Sequence, residues 1–248
     1  MMISFGVSLL SGGLDSTTVT AYARDRVDRL TALTFHYGQT HSKEVECAKL
    51  IAGKLHTEHK LLDVSSLRDA AWYSALTNPD LFAIPLDKDS SDLGLGIPIT
   101  YVPLRNTVFI ALSAAFLESQ VLQAIEVDGL KAEEVVARLY MASNAVDYSG
   151  YPDCRPEFVE QMARTLDAGS KLSTEYRIPI EIATPVIDLT KAEITELGVR
   201  LKAPLEYTWS CYGGDELPCG ECDSCILRAK GFAEAGIIDP LLSRLSMP

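Results

Sequence analysis

The chain has 248 residues, 47% of them hydrophobic and 23% charged, a composition typical of a globular protein with a sizeable core. Acidic residues outnumber basic residues by 34 to 22, and the resulting formal net charge of -12 disfavours broad binding to a nucleic-acid backbone. The longest strongly apolar stretch, residues 108–117, falls short of the roughly 20 residues of a membrane-spanning helix, and no secretion signal is visible, so we expect a cytoplasmic protein without a membrane span.

Short apolar runs alternate with helix-like stretches, and this alternation predicts a parallel α/β sheet. The predicted strands are residues 3–10, 30–35, 59–64, 135–142 and 178–183. The predicted helices are residues 14–26, 42–55, 106–117, 156–172 and 190–201. Residues 72–101 break the pattern with Pro, Gly, Ser and Asp, which indicates a long loop that is functional or mobile. Residues 119–134 fit either a helix extension or a loop.

A glycine-containing turn, Leu-Ser-Gly-Gly-Leu-Asp-Ser-Thr-Thr at residues 10–18, joins the first predicted strand to the first predicted helix. Such a turn directs unpaired backbone N–H groups towards one point, and Gly12 and Gly13 let an anion approach the backbone closely. Asp15 would meet a phosphate only through a divalent cation, so the predicted ligand is a magnesium nucleotide. A tight turn in which Asp15 or Ser16 merely caps the helix is the alternative that a lone Gly-Gly pair leaves open.

Other segments carry side chains suited to polar ligands. Arg105 stands at the start of a predicted helix, where a cation gains most if an anion joins it, although an ordinary ion pair is equally compatible with the sequence. Lys191 is placed to reach a phosphate, but a solvated lysine fits the spacing better. The segment from Asp147 to Arg155 offers tyrosines and charges to a flat polar heterocycle, or is simply a decorated loop. His36 ends the second predicted strand, where a hydrogen-bonded turn residue is the simplest interpretation.

Four of the six cysteines are spaced as Cys-x7-Cys-x2-Cys-x2-Cys near the C-terminus. Zinc takes four thiolates tetrahedrally, and two-residue spacers let neighbouring cysteines turn back onto one ion. An iron–sulfur cluster uses similar spacing, but the further Cys-Pro of the ferredoxin pattern is missing from the sequence. Disulfides are disfavoured by the crowding and by the expected reducing compartment. The predicted zinc ligands are Cys211, Cys219, Cys222 and Cys225.

The turn at residues 11–18 resembles the pyrophosphate-binding loop of the ATP pyrophosphatase superfamily, and it is neither a Walker A loop nor a G-x-G-x-x-G fingerprint. Nearly the whole chain resembles the 7-cyano-7-deazaguanine synthases within that superfamily. The motifs that carry this resemblance are SGGLDSTT (11–18), HYGQTH (36–41), VPLRN (102–106), NAVDYSGYPDCRPEF (144–158), TWSCY (208–212) and CGECDSC (219–225). Leu104 departs from the pattern, because we expect a smaller residue there, and residues 73–97 are divergent.

The resemblance implies a Rossmann-like parallel sheet flanked by helices in a nucleotide-binding domain of residues 1–205, followed by a four-cysteine zinc module and tail at residues 206–248. It also implies ATP-dependent conversion of 7-carboxy-7-deazaguanine and ammonia to the 7-nitrile, through an activated carboxylate and an amide. The loop type favours adenylation, whereas the family reaction is often written with ADP, so phosphorylation stays open. An RNA-modifying enzyme with the same loop, and a nucleotide-binding module without catalysis, are the alternatives.

The partners implied are small-molecule substrates without direct nucleic-acid binding, with a homodimer as the candidate assembly, and ATP, Mg and Zn are the expected ligands and cofactors. The resemblance gives Asp15, Arg105 and Lys191 catalytic roles, with Asp15 beside magnesium and the two cations stabilising charge on phosphorus. The residues expected to bind the deazapurine and its carboxylate are Asp147, Tyr148 and Arg155. The residues expected to bind ATP are Leu10, Ser11, Gly12, Gly13, Leu14, Asp15, Ser16, Thr17, Thr18, Val19 and Thr20.

Overall fold

A computed structural model of the protein describes residues 2–38, 43–86, 96–146, 151–213 and 216–246. The strands in this part of the chain are β1 (Ile3–Leu9), β2 (Arg29–His36), β3 (Glu58–Asp63), β4 (Val135–Tyr140) and β5 (Ile180–Ala183). The helices are α1 (Leu14–Arg24), α2 (Lys43–Lys54), α3 (Leu67–Ala70), α4 (Arg105–Leu122), α5 (Pro156–Gly169), α6 (Lys191–Arg200), α7 (Asp223–Glu234) and α8 (Pro240–Leu245). Every predicted strand and helix is present, with shifted boundaries, whereas α3, α7 and α8 were not predicted.

The five strands form one parallel sheet in the order β3-β2-β1-β4-β5. At its centre, Val7 of β1 is paired with Thr31 of β2 on one side and Leu139 of β4 on the other. The chain therefore leaves β1 towards one edge of the sheet and later returns through α4 to continue towards the other edge. This order, and its reversal between β1 and β4, is that of a Rossmann-like α/β fold and confirms the predicted fold class.

Helices cover both faces of the sheet because successive strand residues point to opposite sides. On one face, Leu139 of β4 packs in a buried cluster with Ile110 and other residues of α4, and α5 contributes to the edge of that cluster. On the other face, the next residue, Tyr140, packs with Val19 of α1 and Ile194 of α6. The central strands β1, β2 and β4 are therefore largely buried between two helical layers, whereas the edge strand β3 is mostly exposed.

Helix α4 is longer than the sequence pattern predicts. With the π-helical turn Gln123–Val127 it forms a helical stretch of 23 residues, which resolves the ambiguity at residues 119–134 as a helix extension for most of its length. By length and composition alone this stretch is long and apolar enough to cross a membrane, so the apolar stretch read from the sequence, residues 108–117, was too short. Its side chains Ile110, Leu117 and Val121 are fully buried and pack in the main core beside the sheet, as expected for the core helix of an α/β fold.

The C-terminal segment shares a hydrophobic core with the α/β sheet. Trp209, Cys222 and Leu241 pack in one buried cluster with Leu10, which follows β1, and Ile51 of α2. The described parts of the predicted long loop, residues 72–86 and 96–101, consist mainly of turns and irregular backbone, and residue 86 makes an isolated antiparallel bridge to this segment. The division at residues 205 and 206 stays a prediction, and the shared core shows that the two parts are closely packed.

A buried ion pair fixes the C-terminal tail. The Arg228 guanidinium of α7 donates to both carboxylate oxygens of Asp239, at 2.6 and 2.8 Å, and to the Thr208 hydroxyl at 2.8 Å. Asp239 also accepts from the backbone N–H of Leu241 at the start of α8. Buried charges are stable only when they are paired and hydrogen-bonded. The contacts of Arg228 and Asp239 therefore hold the 208–211 segment, α7 and α8 in one arrangement.

Leu104 is the residue before α4, and its backbone is left-handed, with φ 55° and ψ 19°. This conformation costs a residue with a Cβ atom about 1–2 kcal/mol, whereas glycine adopts it freely. The side chain is 62% exposed, so little burial compensates for the strain. The backbone geometry gives a physical reason for the smaller residue that the sequence comparison expected at this position.

We predict that Leu104→Gly is more stable than Leu104→Ala by about 0.5–1 kcal/mol, because alanine keeps the strained Cβ while glycine removes it at some entropic cost. Both variants lose the same exposed side chain, so the alanine variant is the matched control. Urea denaturation followed by circular dichroism measures the difference. Equal stability of the two variants, or a less stable glycine variant, contradicts the assignment of strain to Leu104.

Candidate functional site

A cavity of about 360 Å³ opens at the carboxyl edge of the sheet, beside the ends of β1, β2 and β4. This volume lies in the usual range for a small-molecule pocket. The reversal of strand order between β1 and β4 creates a crevice at this edge, where open α/β sheets bind ligands. Its walls come from the turn after β1, Tyr37 after β2, Met141 and Asn144 after β4, the start of α4, and residues 209–212.

Gly12 gives the turn after β1 its shape. Its φ is +91°, and a Cβ atom there would collide with the backbone carbonyl oxygen of Glu44 in α2. The Gly12 carbonyl in turn accepts a hydrogen bond from the backbone N–H of Trp209 at 2.8 Å. Only glycine satisfies both the backbone angle and the close approach, so the turn is packed between α2 and the C-terminal segment.

The serines of the turn hold its backbone in place. The hydroxyls of Ser11 and Ser16 lie 2.9 Å apart, and the Ser16 hydroxyl donates to the carbonyl of Gly13 at 3.1 Å. Gly13 precedes α1 and provides no side-chain cap. The first backbone N–H groups of a helix have no acceptor within the helix, and here they begin at the cavity wall. The turn therefore has the geometry expected of an anion site, with a positive helix end at the cavity wall.

Asp15 and Lys191 meet at this helix end. The Lys191 Nζ lies 2.6 Å from Asp15 Oδ2, and the two side chains are only 13% and 23% exposed. The other oxygen, Asp15 Oδ1, is buried and has no hydrogen-bond partner within the described residues. An unsatisfied carboxylate oxygen beside an anion site is a suitable ligand for Mg²⁺, which commonly bridges one or two carboxylates and phosphates. The two residues, both predicted to have catalytic roles, are therefore in direct contact in the structure.

Gly231 of α7 makes room for Lys191. A Cβ atom at Gly231 would lie 3.0 Å from Lys191 Cβ and would collide with its Cγ. The lysine side chain therefore passes directly over the helix backbone on its way to Asp15. The close contact couples α7, which begins in the cysteine cluster, to the ion pair at the glycine turn.

The predicted ATP-binding residues divide into two groups. One group lines the cavity: Leu10, Ser11, Gly13, Leu14, Asp15 and Ser16. Gly12 shapes the turn from behind. The other group is fully buried within α1: Thr17, Thr18, Val19 and Thr20. The Thr20 hydroxyl, for example, donates to the Ser16 carbonyl at 2.8 Å. A role for this buried group in nucleotide binding stays a prediction.

Arg105 also lines the cavity, and it occupies the first position of α4. Burial acts to lower the pKa of its guanidinium, but the nearby Tyr37, Tyr151 and Asp153 raise the pKa above its usual value, so the group stays charged. Asn106, the next residue, donates its backbone N–H to Asp153 at 3.4 Å and thereby ties this helix start to the 151–155 segment. A cation among aromatic rings is suited to a planar anionic ligand.

Glu44 is a cavity residue that the sequence analysis missed. It lies in the first turn of α2, and burial raises its pKa to about 7, with Arg105 acting to lower the pKa and Cys211 to raise it. The available signal is helical spacing, since Cys47, Ala48 and Ile51 on the same face of α2 are all buried. A carboxylate in an apolar stripe is a functional candidate, because burying a charge without a partner is costly.

Other predicted residues lie elsewhere. Asp147 and Tyr148 fall outside the described residues. Arg155 precedes α5 and does not line the cavity, although Tyr151 of the same segment does. His36 ends β2 as predicted, outside the cavity wall.

The four clustered cysteines converge as predicted. Their Sγ atoms all lie within 4.8 Å of one another, and those of Cys219 and Cys225 are 3.9 Å apart. A tetrahedral ion with metal–sulfur bonds of about 2.3 Å needs sulfurs about 3.8 Å apart. Hydrogen bonds from the thiols of Cys222 and Cys225, and from backbone N–H groups, lower the pKa of Cys211. The four sulfurs, including that of Cys222, can therefore hold a metal ion.

Comparison with known proteins identifies related sequences over nearly the whole chain. The model of the family described as "Queuosine biosynthesis protein QueC" matches residues 6–236. A 7-cyano-7-deazaguanine synthase of Thermoplasma volcanium is 45% identical over 235 residues, which cover 95% of this chain and 89% of the relative. A protein of the same name from Oceanobacillus iheyensis is 41% identical over 236 residues, which cover 95% and 96% of the two chains.

Solved structures resemble the chain more distantly. An NMN synthetase from Francisella tularensis is 16% identical with a TM-score of 0.43, and the match covers 100% of this chain and 79% of that one. The U34-tRNA thiolase NcsA of Methanococcus maripaludis, described with its [4Fe-4S] cluster, is 17% identical with a TM-score of 0.42, covering 98% and 68%.

We predict that Gly231→Ala weakens binding of magnesium ATP about tenfold, because the added methyl group displaces Lys191 from Asp15. Gly53→Ala in α2 is the matched control, since that helical glycine has open space around its Cβ position. Isothermal titration calorimetry measures the affinity, and urea denaturation checks that both variants are folded. Wild-type affinity in a folded Gly231→Ala protein would show that the contact does not position Lys191.

Proposed function

The chain belongs to the QueC family and synthesises 7-cyano-7-deazaguanine, and we propose that it does so in the cavity at the carboxyl edge of the sheet. The proposed substrates are 7-carboxy-7-deazaguanine, ammonia and ATP. The observation that supports this location most strongly is the Asp15–Lys191 pair at the open N-terminus of α1. It combines a carboxylate, a cation and backbone donors at one point, as phosphate transfer requires.

The chemistry explains why ATP is needed. A carboxylate is a poor electrophile because neither oxygen leaves readily, so transfer to phosphorus converts one oxygen into a leaving group. Ammonia then attacks the carbonyl carbon and gives the amide. A second activation through the amide oxygen allows that oxygen to leave and the nitrile to form. One phosphate site at the glycine turn serves both stages in this proposal.

The residues of the glycine turn have separable roles. Backbone N–H groups at the start of α1 hold the phosphates, and Lys191 places a positive charge beside them. Asp15 Oδ1 would ligate magnesium, which, when bound, neutralises phosphate charge and orients the reacting phosphorus. The turn type favours adenylation with release of pyrophosphate, and phosphorylation with release of ADP is the alternative.

The aromatic residues that line the cavity would bind the deazapurine. Phe109 lines this wall and stacks on Phe35, with ring centroids 4.2 Å apart, and Tyr37 lies against the same ring at 5.6 Å. Arg105 at this wall is suited to the substrate carboxylate or to phosphate charge that develops on it. Asp147, Tyr148 and Arg155 remain the predicted contacts to the heterocycle.

We assign zinc to the cysteine cluster. Four thiolate ligands and converging sulfurs match a structural zinc site, which when occupied would stabilise the fold of residues 211–225. Because Cys211 also lines the cavity, the metal would help to fix one wall of the active site.

The proposed partners are small molecules. The net charge of -12 disfavours direct binding of RNA, which argues against an RNA-modifying activity for this chain. A cytoplasmic location and a homodimer stay predictions.

We predict that Asp15→Asn lowers nitrile formation at least a hundredfold, because the neutral amide removes the magnesium ligand and leaves Lys191 unpaired. Asp25→Asn, an exposed carboxylate at the end of α1, is the control and should keep wild-type activity. Mass spectrometry of 7-cyano-7-deazaguanine formed from the carboxylate, ammonium and magnesium ATP gives the rate. Full turnover by Asp15→Asn would contradict the assignment of magnesium binding to Asp15.

Metal analysis of the purified protein should return about one zinc per chain. Cys219→Ser should lose most of that zinc and unfold at a lower temperature, whereas Cys47→Ser, outside the cluster, should retain it. Iron and sulfide with visible absorbance would instead identify an iron–sulfur cluster.

A further inference from the structure

Glu44 has no part in the phosphate and heterocycle contacts described above, although it lines the same cavity. Apolar residues such as Val45 and Phe109 line the same cavity, and Arg105 and Tyr37 lie within electrostatic range of the Glu44 side chain. Within the described residues no hydrogen bond or ion pair holds its carboxylate, which interacts with Arg105 only over a longer distance. A carboxylate that lines a ligand cavity without a partner from the described residues points to a ligand that completes it.

The neighbouring cation on α2 does not supply that partner. Lys43 places its Nζ over the Trp209 ring, 3.7 Å from the centroid, and donates to the carbonyl of Glu216 at 2.9 Å. The Glu44 backbone supports the glycine turn from behind, where its carbonyl abuts Gly12. Glu44 therefore adjoins the glycine turn through its backbone, and it is also one of the residues that line the cavity.

We propose that Glu44 is the binding site of the nitrogen nucleophile: its carboxylate captures ammonium from solution and holds the nitrogen beside the activated substrate carboxylate. This inference rests on the proposed function and adds the subsite that the reaction requires for its third substrate. Ammonium is a small cation with four N–H donors, and an unpaired carboxylate in a ligand cavity is complementary to both properties.

In the proposed step, protons and electron pairs pass between ammonium, Glu44, the activated carboxylate and its phosphate group. Ammonium transfers one proton to the Glu44 carboxylate and becomes ammonia. The nitrogen lone pair forms a bond to the carbonyl carbon, and the carbon–oxygen bond to the phosphate group breaks, with its electron pair leaving on the phosphate oxygen. The nitrogen then loses a second proton to that departing phosphate or to water.

Glu44→Gln tests the inference because the amide keeps the size of the side chain but removes its charge and basicity. We expect kcat/KM for ammonium to fall about a hundredfold, while the KM values for ATP and for the carboxylate substrate change less than about threefold. Glu46→Gln, an exposed glutamate two residues along α2, is the matched control and should behave as the wild-type enzyme does.

Hydroxylamine separates a nucleophile subsite from a structural role, since it is largely unprotonated at neutral pH and needs no base to attack. Glu44→Gln should form the hydroxylamine adduct at no less than about a third of the wild-type rate. Equal losses with hydroxylamine and ammonium, a weakened affinity for ATP, or an unchanged kcat/KM for ammonium would each overturn the subsite. A wild-type enzyme that forms no nitrile from ammonium overturns the proposed function itself, and the subsite with it.

Discussion

The placement of β1 between β2 and β4 is the constraint on which the site depends. Parallel strands need crossover connections, and the connections that follow β1 and β4 run to opposite sides of the sheet. Between these connections lies the crevice at the carboxyl edge of the sheet, with the N-terminus of α1 in its wall. Gly12 turns sharply against α2, so that the helix end borders this crevice. The proposed phosphate site therefore depends on the topology before any side chain is considered.

The electrostatics of the site are local. A chain of net charge -12 has no general attraction for ATP or a carboxylate, so the proposed binding depends on the helix end, Lys191, Arg105 and a divalent cation. The C-terminal segment contributes to this arrangement through packing contacts. Gly231 admits the Lys191 side chain, and Trp209 donates to the glycine turn. Arg228 fixes the segment through its buried pair with Asp239.

Much of this could be predicted from sequence, because the signals are local. The alternation of strands and helices predicted the sheet, the Gly12–Gly13 pair predicted an anion site, and the cysteine spacing predicted the metal cluster. The missed features depend on tertiary contacts. Glu44 resembles an ordinary helix carboxylate until α2 is packed against the cavity. The contact between Gly231 and Lys191 joins residues 40 positions apart, and no pattern within α7 indicates it. The length of α4 was missed because Glu118, Ser119 and Gln120 interrupt its apolar composition after residue 117.

A crystal structure of the protein with magnesium, a non-hydrolysable ATP analogue and 7-carboxy-7-deazaguanine tests the central claim most directly. The account predicts phosphates at the N-terminus of α1, in contact with the backbone of the Gly12–Gly13 turn and with Lys191. It also predicts the substrate carboxylate within reach of the same phosphates, with its heterocycle towards Tyr37 and Phe109. Phosphates bound away from the turn, or a heterocycle outside the cavity between β1 and β4, would contradict the account.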